Sequence, residues 1–222
     1  MLTAISVTPS GTRRARLHAA AMRARTFSSG VLAGLSMASG YSAIMPKRQP
    51  LPDIWLISDA RNDGGLTAAL ARLPRGSGFI YRHYHLGDHA RRARFLELAR
   101  IARAQGHSVI LAGSAQTARK WGADGIYGAP AMLGQQHPAL LRLATAHDAG
   151  EVTQANRCGA DAVLISPVFA TASHPDAKPL GPARFRLLAS HAQMPVIALG
   201  GMTAERAQAL DWPRWAAING LS

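Results

Sequence analysis

Short apolar runs alternate with amphipathic stretches from about residue 50 to the end of the chain. This alternation is typical of βα units that build a parallel sheet. The apolar runs predict eight strands, at residues 53–59, 79–85, 108–112, 125–127, 141–146, 162–166, 196–200 and 216–219. The stretches between them predict six helices, at residues 66–72, 89–105, 115–121, 149–158, 182–191 and 204–210. Eight strands in strict alternation predict an α/β protein with the (β/α)8 TIM-barrel fold, and an open doubly wound sheet is the alternative.

Two features depart from a regular barrel. The fourth connection, residues 128–138, has little helical pattern. The chain also stops at Ser222, just after the eighth predicted strand, so the final helix is expected to be truncated or missing. Either the N-terminal segment or a partner subunit could cover that gap.

The first 48 residues show no sustained hydrophobic period and are rich in Ala, Ser, Arg and Gly. Basic residues 13–25 precede the small-residue segment 31–40, an order that resembles an export or transit signal. Arg13-Arg14 weakly matches a twin-arginine signal. We favour a disordered leader, or upstream sequence translated ahead of a true start at Met45. The barrel is therefore placed at residues 49–222.

Composition narrows the classes of function. The 222 residues include one Cys, which excludes a disulfide framework or a Cys-rich metal site and suits a cytoplasmic protein. No apolar run reaches the ~18–20 residues of a membrane span. The net charge is +13, but residues 1–50 contain seven basic residues and no acidic one, which leaves 18 basic against 12 acidic residues in the remainder. That modest excess fits a small anion as well as a nucleic acid, and we expect no nucleic-acid partner.

Active-site groups of a TIM barrel lie at the C-terminal ends of its strands and in the loops that follow. Gly200-Gly201 and Asn219-Gly220 end the last two strands, where such barrels commonly bind phosphate through backbone N–H groups. The polar and glycine candidates at the strand ends are Asp59, Arg61, Asn62, Asp63, Arg82, Tyr84, His85, Gly113, Ser114, Tyr127, Thr145, His147, residues 166–174, Gly200, Gly201, Asn219 and Gly220.

Several of these segments carry a family resemblance. Residues 166–175, SPVFATASHP, with Leu180-Gly181 resemble the long loop after strand six of the thiamine phosphate synthase/TenI family. Residues 195–202, PVIALGGM, resemble that family's phosphate segment on strand seven. The GADG element at 122–125 and the GAD element at 159–161 fall where the family has similar elements. The resemblance covers about residues 53–221.

The resemblance implies a pocket for a thiazole that carries a phosphoethyl arm. Thr171 and Ser173 would donate hydroxyl hydrogen bonds to its phosphate, and His174 takes the place of a Lys that is common in synthases. Gly200 and Gly201 would complete the phosphate site together with the backbone of Ile218 and Asn219. The family's synthases join this thiazole phosphate to a pyrimidine pyrophosphate and release pyrophosphate. Its TenI-type members include a tautomerase that moves a proton on the thiazole phosphate.

The matched positions favour the tautomerase. Similar synthases have an Arg-x-Lys pair after strand two, and this chain keeps Arg82 but has Tyr84 in place of Lys. Their Asn-Asp pair after strand three is replaced by Ala112-Gly113, and residues 127–132 lack the second acidic ligand. Mg²⁺ usually binds one or two carboxylates. The resemblance therefore implies no bound metal, with Mg²⁺ expected only if synthase activity is retained.

Proton transfer needs a group that titrates near neutral pH, and His is the usual one. His147 lies at the position that matches the acid/base His of similar tautomerases, with Thr145 two residues before it. If Arg82 points to the pocket, His83 and His85 either face outward towards the helices or lie past the end of the strand, and no metal site is predicted for this pair.

We therefore expect a thiazole-phosphate tautomerase that uses His147 and Thr145, with Arg82 among the substrate-binding residues. The alternatives are a thiamine phosphate synthase with a degenerate metal site and a non-catalytic phosphate-ligand binder. A homo-oligomer is possible.

Overall fold

A computed structural model describes residues 50–134, 139–171, 178–219 and 221. Within these ranges eight parallel strands close into a barrel in which each strand pairs with its neighbours along the chain, and β1 pairs with β8. The strands are β1 Ile54–Ile57, β2 Gly78–Tyr81, β3 Ser108–Leu111, β4 Gly125–Gly128, β5 Leu141–Ala146, β6 Ala162–Ile165, β7 Val196–Leu199 and β8 Trp215–Ala217. The predicted barrel is confirmed.

In the described part of the chain six α-helices lie between the strands: α1 Leu66–Arg72, α2 Asp88–Ala104, α3 Ala115–Trp121, α4 Ala149–Cys158, α5 Gly181–Ser190 and α6 Ala204–Leu210. All six agree with the predicted helices to within one residue at either end. Ser114, Asp148 and Thr203 begin three of them by accepting a hydrogen bond from the backbone N–H three residues later. Each of these caps stands shortly after a strand, so the caps shape the loops at the open end of the barrel.

The core has two layers. Inside the barrel Trp55, Ile57 and Ile80 pack with Ile110 and Leu143, while a second layer joins the outer strand faces to the helices. Trp55 fills the barrel beside Gly78, where an added Cβ would lie 2.1 Å from the indole ring. Its Nε1 donates to the carbonyl of Pro52 at 2.8 Å. The filled interior gives the open end of the barrel a solid floor.

The connection between β4 and β5 lacks an α-helix in its described part and has only a 3₁₀ turn, Pro130–Met132. Arg142, with 1% of its surface exposed, holds this connection in place. Its guanidinium donates to the carbonyls of Gly134 at 2.6 Å and Cys158 at 2.7 Å. A buried, hydrogen-bonded guanidinium thus takes the place of a packed helix.

Some predictions on the chain ends lie outside the described residues. The leader at residues 1–48 falls in the undescribed range 1–49, so its separation from the barrel stays a prediction. Residues 218, 219 and 221 follow β8 without forming a helix. Within the described ranges, no helix combines the length and apolarity needed to cross a membrane.

Candidate active site

A cavity of about 620 Å³ opens at the C-terminal ends of the strands. This volume lies within the range of ordinary small-molecule sites. Residues that follow β2 and residues at or just after the ends of β4 to β8 contribute to its wall. The lining residues are Arg82, Tyr84, Tyr127, Gly128, Ala129, Thr145, His147, Ser166, Pro167, Ala170, Thr171, Leu199, Gly200, Gly201, Met202, Thr203, Arg206, Ala217, Ile218 and Asn219.

One wall of the cavity, which we call the glycine side, consists of Gly200, Gly201, Thr203, Arg206 and Asn219. Gly200 and Gly201 have φ values of 97° and 60°, which side-chain-bearing residues rarely adopt. A Cβ on Gly200 would lie 2.5 Å from Pro167 Cα, and a Cβ on Gly201 would lie 2.4 Å from the carbonyl oxygen of Ala170. Glycine is therefore required here, because the loop after β6 packs directly on this backbone.

Backbone hydrogen bonds hold that loop against β7. The N–H of Val168 donates to the carbonyl of Leu199 at 2.8 Å, and the N–H of Phe169 donates to the carbonyl of Gly200 at 3.0 Å. Thr171 lies at the described end of the loop and lines the cavity. The two segments that resemble phosphate-binding segments of the family thus lie side by side.

Arg206 adds a positive charge to the glycine side and is not among the residues expected from the sequence. Its Nη1 donates to the carbonyl of Gly201, and its Cζ lies 5.2 Å from the centre of the Phe169 ring. The available signal was its place in the first turn of α6, three residues after the capping residue Thr203.

The opposite wall, which we call the arginine side, consists of Arg82, Tyr84 and Tyr127. The Arg82 guanidinium lies 5.7 Å from the centre of the Tyr84 ring and 3.9 Å from Asp59 Oδ2. Tyr84 is unusual for its size, since 63% of its surface is exposed. Tyr127 is buried, and burial raises the pKa of its phenol to about 12, so it stays neutral and able to donate a hydrogen bond.

Arg91, at the start of α2, supports the arginine side from behind. Its Nε and Nη2 donate to the carbonyl of Arg82 at 3.1 and 2.9 Å, and Nη2 also donates to the carbonyl of Ala112 at 2.6 Å. Its Cζ lies 5.5 Å from the centre of the Tyr84 ring and 5.6 Å from that of Trp121. The guanidinium therefore links the ends of β2 and β3 and holds Tyr84 at the rim.

Asp59, after β1, is engaged by a neighbouring cation. Arg61 Nε donates to its Oδ1 at 2.7 Å, and this hydrogen bond holds the pKa of Asp59 below its usual value. Asn62 completes the turn by donating to the carbonyls of Ile57 and Ile218, the latter at 2.7 Å. Asp59, Arg61 and Asn62 thus shape the loop and do not line the cavity.

His147 lies at the end of β5 and lines the cavity with Thr145. Its Nδ1 is 2.8 Å from Glu151 Oε2, and its backbone N–H donates to the same oxygen at 2.6 Å. A carboxylate on Nδ1 orients an imidazole so that Nε2 is left for a substrate. The side chain is 58% exposed, so Nε2 is also accessible to water.

His83 and His85 lie past the end of β2, which is one of the two placements expected for them, although the strand itself was expected to reach residue 85. The second strand ends at Tyr81 and does not continue to His85, so the alternation of side chains stops before the histidines. His83 has a φ of 34° and is buried, with Nδ1 2.8 Å from Ser58 Oγ and Nε2 2.9 Å from Asp63 Oδ1. Its ring stacks on Tyr81, which in turn packs against Phe95 of α2, so His83 lies between the loop after β1 and that helix.

The cavity brings together most of the substrate and catalytic residues expected from the sequence. Ser173 and His174 lie outside the described residues, and the roles of the others stay predictions. The expected residues that line the cavity are Arg82, Thr145, His147, Thr171, Gly200, Gly201, Ile218 and Asn219.

The donor set does not fit a protein-held Mg²⁺. The described residues that line the cavity include no carboxylate, and the nearby carboxylate of Asp59 is bound by Arg61. Mg²⁺ requires oxygen ligands, usually with at least one carboxylate. Any negative charge in this cavity is therefore to be balanced by arginine side chains and backbone N–H groups.

A model of the thiamine monophosphate synthase family matches residues 54–212 of this chain. The putative thiamine-phosphate synthase 2 of Aquifex aeolicus is 34% identical over 77 residues, which are 35% of this chain and 41% of that protein. The thiamine-phosphate synthase of Chloroflexus aurantiacus is 31% identical over 133 residues, 57% of this chain and 62% of that protein. In both cases the chain covers less than two thirds of the relative's length.

Solved structures show the same fold. The thiamine phosphate pyrophosphorylase of Pyrococcus furiosus aligns with a TM-score of 0.64 at 20% identity, covering 75% of this chain and 85% of that one. A thiamine phosphate pyrophosphorylase of Bacteroides thetaiotaomicron aligns with a TM-score of 0.51 at 15% identity, covering 76% and 84%.

Proposed function

Since the chain belongs to the thiamine monophosphate synthase family, we propose that its barrel joins a thiazole phosphate to a pyrimidine pyrophosphate and releases pyrophosphate. From the sequence this reaction was the alternative, because the matched positions favoured the tautomerase. The names of the relatives favour the synthase reaction. We place the reaction in the cytoplasm, on the basis of the single cysteine.

The observation that carries this proposal is that one cavity has two separate cationic walls. Arg206 belongs to the glycine side, next to β7, whereas Arg82 belongs to the arginine side, next to β2. In the closed barrel, β1 and β8 lie between those two strands. A reaction of two anionic substrates uses both walls, while a proton shift on one phosphate ester requires only one of them.

The glycine side suits the thiazole phosphate. Gly200 and Gly201 let a ligand approach the backbone closely, and Thr171 and Arg206 lie beside them. Positioned donors and a cation of this kind are the usual features of a phosphate site. This wall would hold the phosphate so that the thiazole ring extends across the cavity.

The arginine side suits the pyrophosphate. In the reaction the thiazole nitrogen forms a bond to the exocyclic methylene carbon of the pyrimidine, and the bond from that carbon to the pyrophosphate oxygen breaks. Negative charge then develops on the leaving group, and Arg82 is placed to balance it. The neutral phenol of Tyr127 supplies a hydrogen-bond donor on the same wall.

Proton transfer on the thiazole phosphate is a second candidate, because one observation favours it. His147 lines the cavity with its Nδ1 on Glu151, an arrangement that suits a general acid/base. The absence of carboxylates among the described lining residues is also compatible with this chemistry. It would use the glycine side and leave the arginine side without a role.

One assay separates the two reactions. The protein is incubated with both substrates, with and without Mg²⁺, and thiamine phosphate and pyrophosphate are measured by chromatography. In parallel, thiazole phosphate alone is incubated in D₂O, and deuterium incorporation is followed by NMR. Equal amounts of thiamine phosphate and pyrophosphate are the expected result.

Two variants identify the residues responsible. For the synthase reaction, Arg82→Gln should lower product formation at least tenfold, whereas His147→Gln should change it less than threefold. If deuterium exchange occurs without any condensation and His147→Gln abolishes it, the proposal is wrong and the tautomerase is correct.

A further inference from the structure

We propose that Asp63, His83 and His85 form a binding site for a divalent transition-metal ion between the loops that follow β1 and β2. Each residue offers one ligand atom, and these three atoms lie within 4.8 Å of one another. None of the three lines the cavity described above. The proposal therefore adds a second site and does not depend on the reaction.

His83 is the fixed part of this site. It has 1% of its surface exposed, and its ring stacks on Tyr81 at a centroid distance of 4.7 Å. Its Nδ1 is 2.8 Å from Ser58 Oγ, which also accepts a hydrogen bond from the backbone N–H of Arg82. The ring is thereby locked with Nε2 facing Asp63.

His83 has an uncommon backbone conformation and a buried ring nitrogen that lacks a hydrogen bond. A φ of 34° is uncommon for a residue with a side chain, and such strain persists where the surroundings impose it, often at functional sites. Nε2 is buried, and although it lies 2.9 Å from Asp63 Oδ1, it has no well-directed hydrogen bond. A metal ion between the two atoms would satisfy this nitrogen.

The distances suit two ligands of one ion. Metal bonds of about 2.0–2.1 Å place two donor atoms about 2.9 Å apart when they meet at a right angle and about 3.4 Å apart at the tetrahedral angle that Zn²⁺ prefers. Nε2 of His83 and Oδ1 of Asp63 lie 2.9 Å apart, so the right-angle arrangement fits directly and tetrahedral Zn²⁺ requires the pair to separate by about 0.5 Å. His85 is exposed, and its ring centre lies 5.0 Å from that of His83, so rotation of its side chain brings the third donor to the ion.

Arg94 determines which ions fit. Its Nε and Nη2 each lie 2.8 Å from Asp63 Oδ1, which fixes the carboxylate and reduces its effective negative charge. A hard ion such as Mg²⁺ prefers an all-oxygen shell, which this site lacks. Two imidazoles and one carboxylate suit Zn²⁺, Co²⁺ or Ni²⁺, with water in the remaining positions.

A bound ion would link the loops after β1 and β2. Arg82 and Tyr84 flank His83 in the chain, so the same link would hold the arginine side of the cavity in place. Because the ion binds the folded protein, it should also raise the melting temperature.

The test uses the full chain, first stripped with EDTA and then titrated with Zn²⁺ by calorimetry and with Co²⁺ by visible absorption. His85→Ala removes an exposed ligand and should not disturb folding. His89→Ala, an exposed histidine four residues later that lies outside the cluster, is the matched control. Asp63→Asn is a second test of the ligand set.

We expect one equivalent of Zn²⁺ to bind and raise the melting temperature, and Co²⁺ to give the absorption of a nitrogen-ligated site. His85→Ala and Asp63→Asn should weaken binding at least tenfold, and His89→Ala less than twofold. The absence of saturable binding, or equal affinity of the His85→Ala variant and the unaltered chain, would overturn the proposal. Metal affinity and product formation are measured separately, so failure of this site and failure of the proposed reaction are distinguishable.

Discussion

The glycine side and the arginine side of the cavity both suit anions, but they are built from different parts of the polypeptide. On the glycine side, the main features are two glycines in left-handed conformations and the backbone of a neighbouring loop. On the arginine side, long side chains are held by other side chains, with Arg91 behind Arg82 and Tyr84. The first wall depends on local conformation, whereas the second depends on contacts between distant residues.

This difference predicts that the glycine side tolerates substitution least. Gly200→Ala should destabilise the fold by about 3 kcal/mol, because it combines a positive φ with a clash against Pro167 backbone. Binding of thiazole phosphate should weaken at least tenfold. Urea denaturation measures the first effect, and calorimetry measures the second.

Gly128→Ala is the matched control for that substitution. Gly128 also lines the cavity, but its φ is not in the left-handed region, and an added Cβ would meet only Met132 Cβ at 3.6 Å. We expect a change in stability below about 1 kcal/mol. Equal effects of the two substitutions would show that the glycine side has no special conformational requirement.

On the arginine side, Arg82→Gln should weaken the binding of inorganic pyrophosphate by roughly 10–100-fold, because a charged hydrogen bond contributes about 1.5–3 kcal/mol. The fold should remain intact, since the Arg82 backbone keeps its bonds to Ser58 and Arg91. Arg75→Gln is the control, because it removes one positive charge just before the start of β2, at the end of the strand away from the cavity. It should change the affinity for pyrophosphate less than twofold. If both variants bind equally weakly, pyrophosphate responds to net charge and not to this wall.

The contrast between the two walls also explains what could be predicted from the sequence. Gly200-Gly201 after an apolar run marks the glycine side directly, because the conformation belongs to the residues themselves. Nothing local marks Tyr81 as the end of β2, since the segment FIYRHYH continues the same alternation to His85. The contact of His83 with Ser58, 25 residues earlier in the chain, could not be predicted from this segment alone.

The barrel itself was predictable for the same reason. Strand and helix periods are local properties of the sequence, so all six α-helices and all eight strands of the described residues were expected from the pattern. Arg91 and Arg206 were not selected as site residues, because a helical arginine normally indicates a solvated surface. Only the closed barrel brings their guanidinium groups to the carbonyls at the ends of the strands.

Tyr84 tests how strongly the arginine side depends on packing between its side chains. The ring lies 5.7 Å from the Arg82 guanidinium and 5.5 Å from that of Arg91. A cation–π contact at an exposed site contributes about 0.5–1 kcal/mol, so Tyr84→Leu should weaken pyrophosphate binding roughly threefold. Tyr84→Phe keeps the ring and should bind normally. If Tyr84→Phe is as weak as Tyr84→Leu, the hydroxyl and not the ring is the important group.

The smallest effect is expected from Asp59, which makes the loop beside the arginine side sensitive to acid. The pKa of Asp59 in the folded protein is lowered, chiefly by the hydrogen bond from Arg61. The ion pair therefore stabilises the fold fully above about pH 4, the pKa of an unfolded Asp. This stabilisation is lost as the pH falls through the lower pKa of the folded protein. Asp59→Asn should therefore cost less than about 1 kcal/mol at pH 6, and the difference from the unaltered chain should shrink towards pH 3.5. Urea denaturation at both pH values measures this difference in unfolding free energy. Salt at about 0.5 M shortens the screening length to roughly 4 Å and should reduce the difference at pH 6. A difference that stays constant with pH would show that the ionised carboxylate does not stabilise this loop.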